Sequence, residues 1–184
     1  MMATTHAFVG LALASAYAVL AGEYATVAAV AALAGGIFPD LDLVAEHRKT
    51  LHFPEYYAVL AVVAVAVAAV AVGPATVAAA AFLVSAAVHA ASDALGGGLE
   101  ARPWLAESDR GVFLHTQGRW ARPRRLVRYD GAPEDLVVGV AFALPGLVVF
   151  DGWIRRVALA GVAVSVVYVL VRKRLPVLEE RYLQ

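Results

Sequence analysis

No cysteine occurs among the 184 residues of this chain. That absence removes disulfides, thiolate nucleophiles and cysteine-type zinc sites, and leaves any metal to histidine and carboxylate ligands. Charge is scarce too. Only 16% of the residues are charged and the formal net charge is zero, so nothing global points to nucleic acid. No Gly-x-Ser-x-Gly elbow is present, and Gly96-Gly97-Gly98 lacks the lysine and spacing of a phosphate loop. We read that glycine run as a helix stop. Met1 to His6 has no basic stretch of the secretory-leader kind, so the first apolar run is expected to stay in the mature protein.

What the chain has in excess is aliphatic. Hydrophobic residues make up 61%, against ~45–50% in a soluble domain. They fall in blocks: Ala7–Gly22, Tyr24–Phe38, Tyr56–Val72, Ala75–Leu95, Leu136–Phe150 and Trp153–Val171. None alternates as a barrel strand does, and irregular backbone facing lipid is too costly, so helices are expected. The breaks are Gly22-Glu23-Tyr24, Gly73-Pro74 and Asp151-Gly152. The expected fold is all-α: one integral membrane domain over residues 1–184, a polytopic bundle of about six apolar helices. Residues 96–135 are expected to form a long, polar, arginine-rich cytoplasmic loop on the membrane surface. Several blocks are shorter than the ~20 residues that cross a bilayer, so the number of spans lies between four and six.

With all six blocks spanning and the N-terminus cytoplasmic, thirteen of the fifteen Lys and Arg residues fall on the cytoplasmic side; Arg155 and Arg156 are the exceptions. This is the bias that orients membrane proteins. It predicts a multi-pass protein of the cell membrane with both termini in the cytoplasm, and membrane lipids as its partners.

The polar chemistry sits in the connections. FPDLDLVAEHRKTLHFP, Phe38 to Pro54, carries Asp40, Asp42, His47, Arg48 and His52 between two apolar blocks. Pro39 tends to end the second helix. On a non-helical turn, Asp40 and Asp42 can converge on a cation, or one can bind metal while the other orients a ligand. A solvated loop with a helix stop is the competing reading. Imidazoles at His47 and His52 suit a metal or a proton shuttle. Arg48 suits either a bound anion or a membrane anchor. In HAASD, His89 and Asp93 stand four apart on one helix face, where an unpaired ionisable group is expensive. A divalent metal or an internal His–Asp hydrogen bond would meet that need. His6 lies at the start of the first block, after Thr4 and Thr5, either of which can cap the helix. His115 has no role readable from the sequence.

In these pieces the chain resembles the YdjM-like family of membrane-bound, predicted metal-dependent hydrolases. The matching stretches are TTH with His6, GGIFPDLD, HRKTLH with His47, Arg48 and His52, and HAASD, together covering roughly residues 3 to 98. SDRGVFLHTQGRW and APEDL look like the family's downstream pattern. Leu51 departs from it by separating Thr50 from His52. The resemblance implies a divalent metal and hydrolysis, of a phosphoester or lipid-linked substrate. The expected ligands are His6, Asp40, Asp42, His52, His89 and Asp93, with zinc first and manganese or magnesium as alternatives. Asp42 is the expected general base, His47 the proton donor and Arg48 the holder of substrate charge. The alternatives are a non-catalytic membrane scaffold with a structural metal or polar cluster and, less favoured, a transporter. Transport needs ionisable groups near the bilayer midplane, and the centres of the blocks hold no acidic residue.

Overall fold

A computed structural model describes residues 1–177. The C-terminal LEERYLQ, with Arg181 and the predicted cytoplasmic C-terminus, lies outside the described residues. Six α-helices carry the fold: α1 (Ala3–Leu20), α2 (Ala25–Ile37), α3 (Pro54–Val70), α4 (Pro74–Ser92), α5 (Pro133–Val149) and α6 (Gly152–Val171). Proline opens α3, α4 and α5, where its missing N–H costs nothing and its fixed φ suits the first turn. Gly22 turns the chain between α1 and α2 at φ 71°, a left-handed conformation that glycine adopts without strain.

Four helical segments are long and apolar enough to cross a membrane: Ala3–Leu20, Ala25–Val44, Pro74–Leu95 and Gly152–Val177. The helices α3 and α5 have 17 residues each, roughly 25 Å of rise against a ~30 Å hydrocarbon core.

The helix α2 packs against α1 and α4, α3 leans on α4, α5 on α1, and α6 chiefly on α5. The core between them is built from small residues. Ala14, Ala28, Ala29, Ala32, Ala143 and Ala158 surround Phe8 and Leu11. Small side chains let helix backbones approach closely, which is how helices associate when lipid is as apolar as they are. The outward faces of α3 and α6 carry exposed valines and leucines, among them Val62, Val167 and Leu170.

The first helix starts earlier than its apolar block. It begins at Ala3, with Met2 as the residue before it and no side-chain cap. Thr5 therefore does not cap; it is fully buried and donates to Asp135 Oδ1 at 2.8 Å. Asp135 also accepts from Met2 N and Gly131 N, which ties the start of α5 to the start of α1.

Residues 96–135 are not simply an extended surface loop. A short antiparallel hairpin forms within them, β1 (Val112–Leu114) against β2 (Arg119–Ala121), with Phe113 opposite Trp120. Backbone bonds from Arg124 to Ala94, Arg125 to Gly96 and Leu126 to Leu95 fold this segment back over the end of α4.

Candidate metal centre

The antiparallel order brings the starts of α1, α3 and α5 and the ends of α2, α4 and α6 to one end of the bundle. All five histidines and the two aspartates of PDLD gather there. Two glycines let them meet. A methyl group on Gly35 would lie 2.2 Å from Phe82 O on α4, and one on Gly36 would lie 2.7 Å from His6 O on α1. The close approach exposes the Gly36 carbonyl to His89, whose Nδ1–H donates to it at 2.7 Å.

After α2 the chain tightens into a 3-10 helix, Phe38–Val44, which carries Asp40 and Asp42. Asp40 turns towards His89 and Asp93. Asp42 turns away to His47 and His52 instead of sharing a cation with Asp40. Its Oδ1 takes His47 Nδ1 at 2.8 Å, and its Oδ2 takes His52 Nδ1 at 2.9 Å and the Leu51 N–H at 3.2 Å.

Four ligand atoms then face one another: Asp40 Oδ1, His52 Nε2, His89 Nε2 and Asp93 Oδ2, all within 4.8 Å. His52 Nε2 lies 3.0 Å from Asp93 Oδ2 and 3.7 Å from Asp40 Oδ1. His89 Nε2 lies 3.3 Å from Asp40 Oδ1 and 3.5 Å from Asp93 Oδ2. A tetrahedral ion with bonds of ~2.0–2.1 Å has edges of about 3.3 Å between its ligands, in the middle of that range.

Hydrogen-bond accounting points the same way. Each of the two imidazoles has committed its Nδ1–H, His52 to a carboxylate and His89 to a carbonyl. This is the support that metal-binding histidines usually have. Their Nε2 atoms face carboxylate oxygens: His52 Nε2 has Asp93 Oδ2 within hydrogen-bond distance at 3.0 Å, and His89 Nε2 is buried with no hydrogen-bond partner. An imidazole nitrogen and a carboxylate oxygen at this spacing need a proton or a cation between them. The buried His/Asp cluster can therefore hold a metal ion, and its donors fit one. A second group, Asp42, His47 and His52, is as tightly gathered, but hydrogen bonds already satisfy its facing atoms.

His6 stands beside this four-atom set rather than in it. Its ring stacks on His89 at 3.7 Å between centroids, and its Nε2 meets the other Asp93 oxygen, Oδ1, at 3.1 Å. Ser92 Oγ lies 3.3 Å from its Nδ1. Asp93 Oδ1 also faces the Met1 amine at 3.4 Å.

Arg48 is buried and holds a left-handed backbone, φ 61°. Its Nη1 donates to Gly97 O at 2.7 Å and Gly111 O at 3.3 Å, and its Nε lies 3.5 Å from Asp93 Oδ2. Its backbone carbonyl accepts from Phe113 N of β1. This guanidinium fastens the hairpin and the end of α4 to the site. Arg48→Lys keeps the charge and loses the fork. It is expected to lower stability by about 1–3 kcal/mol, read as an earlier thermal transition in detergent.

His115 was the residue that the sequence left without a role. From the turn of the hairpin its Nε2–H donates to the carbonyls of both Lys49 and His52, at 2.9 and 3.0 Å. Glu55 accepts from the His115 N–H. His115 thus fixes the backbone that carries His52. The readable signal was the pair of three-residue runs VFL and RWA around a turn ending in Gly118, a hairpin pattern.

A cavity of about 620 Å³ opens beside the cluster, with Asp40, His47 and Arg48 in its wall. Of the four ligand residues only Asp40 lines it, and Asp40 is also the least buried of them. The protein thus belongs to the helical bundles with apolar helices able to cross a membrane, and it carries a buried His/Asp cluster able to hold a metal. In comparisons with protein-family models, curated proteins and solved structures, the chain matches none.

Proposed function

We propose that this protein is a membrane-embedded hydrolase dependent on a divalent metal, acting on a phosphoester or lipid-linked ester at the cytoplasmic membrane face. The observation that carries the reading is the cavity meeting the cluster at Asp40. A buried ligand set with one open side is what a catalytic metal needs. The resemblance to the YdjM-like family agrees with it. In this reading α3 and α5 also cross the bilayer, and the Lys and Arg bias orients the site inwards. Leu41, Leu43 and Val44, exposed beside Asp40 and Asp42, suit the hydrocarbon boundary.

Asp40, His52, His89 and Asp93 would hold the ion. The nitrogen and oxygen donors would suit zinc, with manganese or magnesium as alternatives. The chemistry a bound ion supplies is Lewis-acid activation of water and of the phosphoryl oxygen. His47 does the proton work. Its ring lines the cavity with Nδ1 on Asp42, which leaves Nε2 for substrate or water. Asp42 was expected to be the base; with both oxygens occupied and the side chain buried, it acts by orienting His47 and His52. In hydrolysis the P–O ester bond breaks and a bond from phosphorus to the water oxygen forms. One water proton passes through His47 to the leaving alcohol.

A specific observation favours a second reading. Four protein ligands complete a tetrahedron, so a zinc ion there could be purely structural. One experiment separates the two. Purified protein is analysed for divalent ions and assayed for phosphate release, in wild type and in His47→Ala. The hydrolase reading expects about one ion per chain in both proteins and a loss of about 10²–10⁴-fold in kcat in the variant. Bound metal with no hydrolysis in wild type would leave the structural reading.

A further inference from the structure

The cavity beside Asp40 has a second wall that the proposed chemistry does not use. Val164, Tyr168 and Arg172 line it, four residues apart and so on one side of α6 and the turn after it, with Ser165 next to Val164. Eight residues separate Val164 from Arg172, roughly 12 Å of helical rise. That is most of the ~15 Å of hydrocarbon in one leaflet. Val164 is near the middle of the candidate span Gly152–Val177.

The wall changes character along its length. At the mouth Tyr168 donates to Asp130, and Arg172 grips both Asp130 oxygens at 2.7 and 3.0 Å. At depth it presents Val164. Two lining residues also face outwards: Leu43 is 70% exposed and Val164 59%. The cavity therefore carries charged groups at one end and Val164 with the hydrogen-bonded Ser165 and Thr4 at the other, and opens sideways at aliphatic side chains. A water-soluble substrate needs no side opening between aliphatic side chains.

We infer that the cavity admits a lipid phosphoester from the side, its acyl chain along Val164 and its phosphate between Asp40 and Arg172. The ester chemistry rests on the hydrolase reading; the shape of the substrate does not. Binding energy from the chain, remote from the reacting phosphorus, is then available to position it.

Three measurements test this on the full chain with its metal. Phosphate release is followed from dioleoyl phosphatidic acid in mixed micelles and from para-nitrophenyl phosphate. A phosphatidic acid bearing a diazirine on its acyl chain is photolysed with the protein and its attachment mapped. The lipid is expected to exceed the soluble ester in kcat/KM by about 100-fold or more. Val164→Trp is expected to reduce that ratio about tenfold, with Leu43→Trp as a second obstruction should the first variant fail to fold. Val167→Trp, equally exposed on α6 and outside the cavity wall, should leave the ratio unchanged. Label should appear on α6 near Val164 and on Leu43. Equal rates on both esters, with a ratio indifferent to Val164→Trp, overturn the lipid inference and leave the hydrolase reading standing. Label at Val164 without hydrolysis of either ester supports the lipid cavity and ends the hydrolase reading. No label and no hydrolysis ends both.

Discussion

Asp93→Ala is expected to leave purified protein without a retained divalent ion and to lower its stability by about 3–5 kcal/mol. No other side chain in the site meets so many partners. One oxygen faces His52 Nε2, His89 Nε2 and Arg48 Nε, and the other faces His6 Nε2 and the Met1 amine. Arg48 Nε is buried with no hydrogen-bond partner, and Asp93 is the carboxylate beside it. Removing that carboxylate strands a buried guanidinium, and such a loss costs far more than an intact pair contributes. Metal content by elemental analysis and thermal unfolding in detergent give the two readings. Asp93→Asn separates them, because it keeps the volume and one acceptor while losing the charge. It should lose the ion with a smaller stability loss. His6→Ala is the contrasting case. His6 supports Asp93 from outside the ligand set, so its loss should weaken metal affinity by about 10–100-fold rather than abolish binding. An Asp93→Ala protein that kept its ion at wild-type stoichiometry would show the ligands to be wrongly assigned.

Local rules carried the sequence reading as far as the helices and part of the site. The break read at Gly73-Pro74 falls where α4 begins, and HAASD sets His89 and Asp93 on one face by the helical period alone. PDLD left two arrangements open, a shared cation or one metal ligand beside a carboxylate that orients another, and a local rule bears on the choice. In a 3-10 helix with three residues per turn, positions two apart point about 240° from each other. Asp40 and Asp42 therefore diverge, and the two nitrogens of His52 join them. Which helix faces point inward could not be read. Ala, Val and Leu run round every helix, so hydrophobicity does not single out the buried side. Small size does, through residues such as Gly36 and Ala32. The roles of Arg48 and His115 were also out of reach. Both act through backbone carbonyls brought close only by the folded hairpin, 49 to 66 residues away in sequence.

Gly36→Ala is expected to lower stability by about 1–3 kcal/mol or more and to loosen the metal site in the same step. The added methyl would sit 2.7 Å from His6 O and 2.8 Å from Ala7 Cα. Those are backbone atoms of a packed helix, so no side-chain rotation relieves the contact, and α1 and α2 must separate. Separation draws His6 away from Asp93 and shifts the Gly36 carbonyl that holds His89 Nδ1. Thermal stability and metal retention should therefore fall together, although Gly36 offers no ligand atom. Gly35→Ala acts on a neighbouring face of α2, against Phe82 of α4, and is expected to have an effect of similar size. Gly73→Ala is the control. Its methyl meets nothing nearer than Thr76 Oγ1 at 3.9 Å, and its extended backbone suits any residue, so the change should stay within about 0.5 kcal/mol. If Gly36→Ala matched Gly73→Ala in both measurements, α1 and α2 would have room to spare at this level. The close backbone approach that brings the His89 ring to its carbonyl would then not be what assembles the cluster.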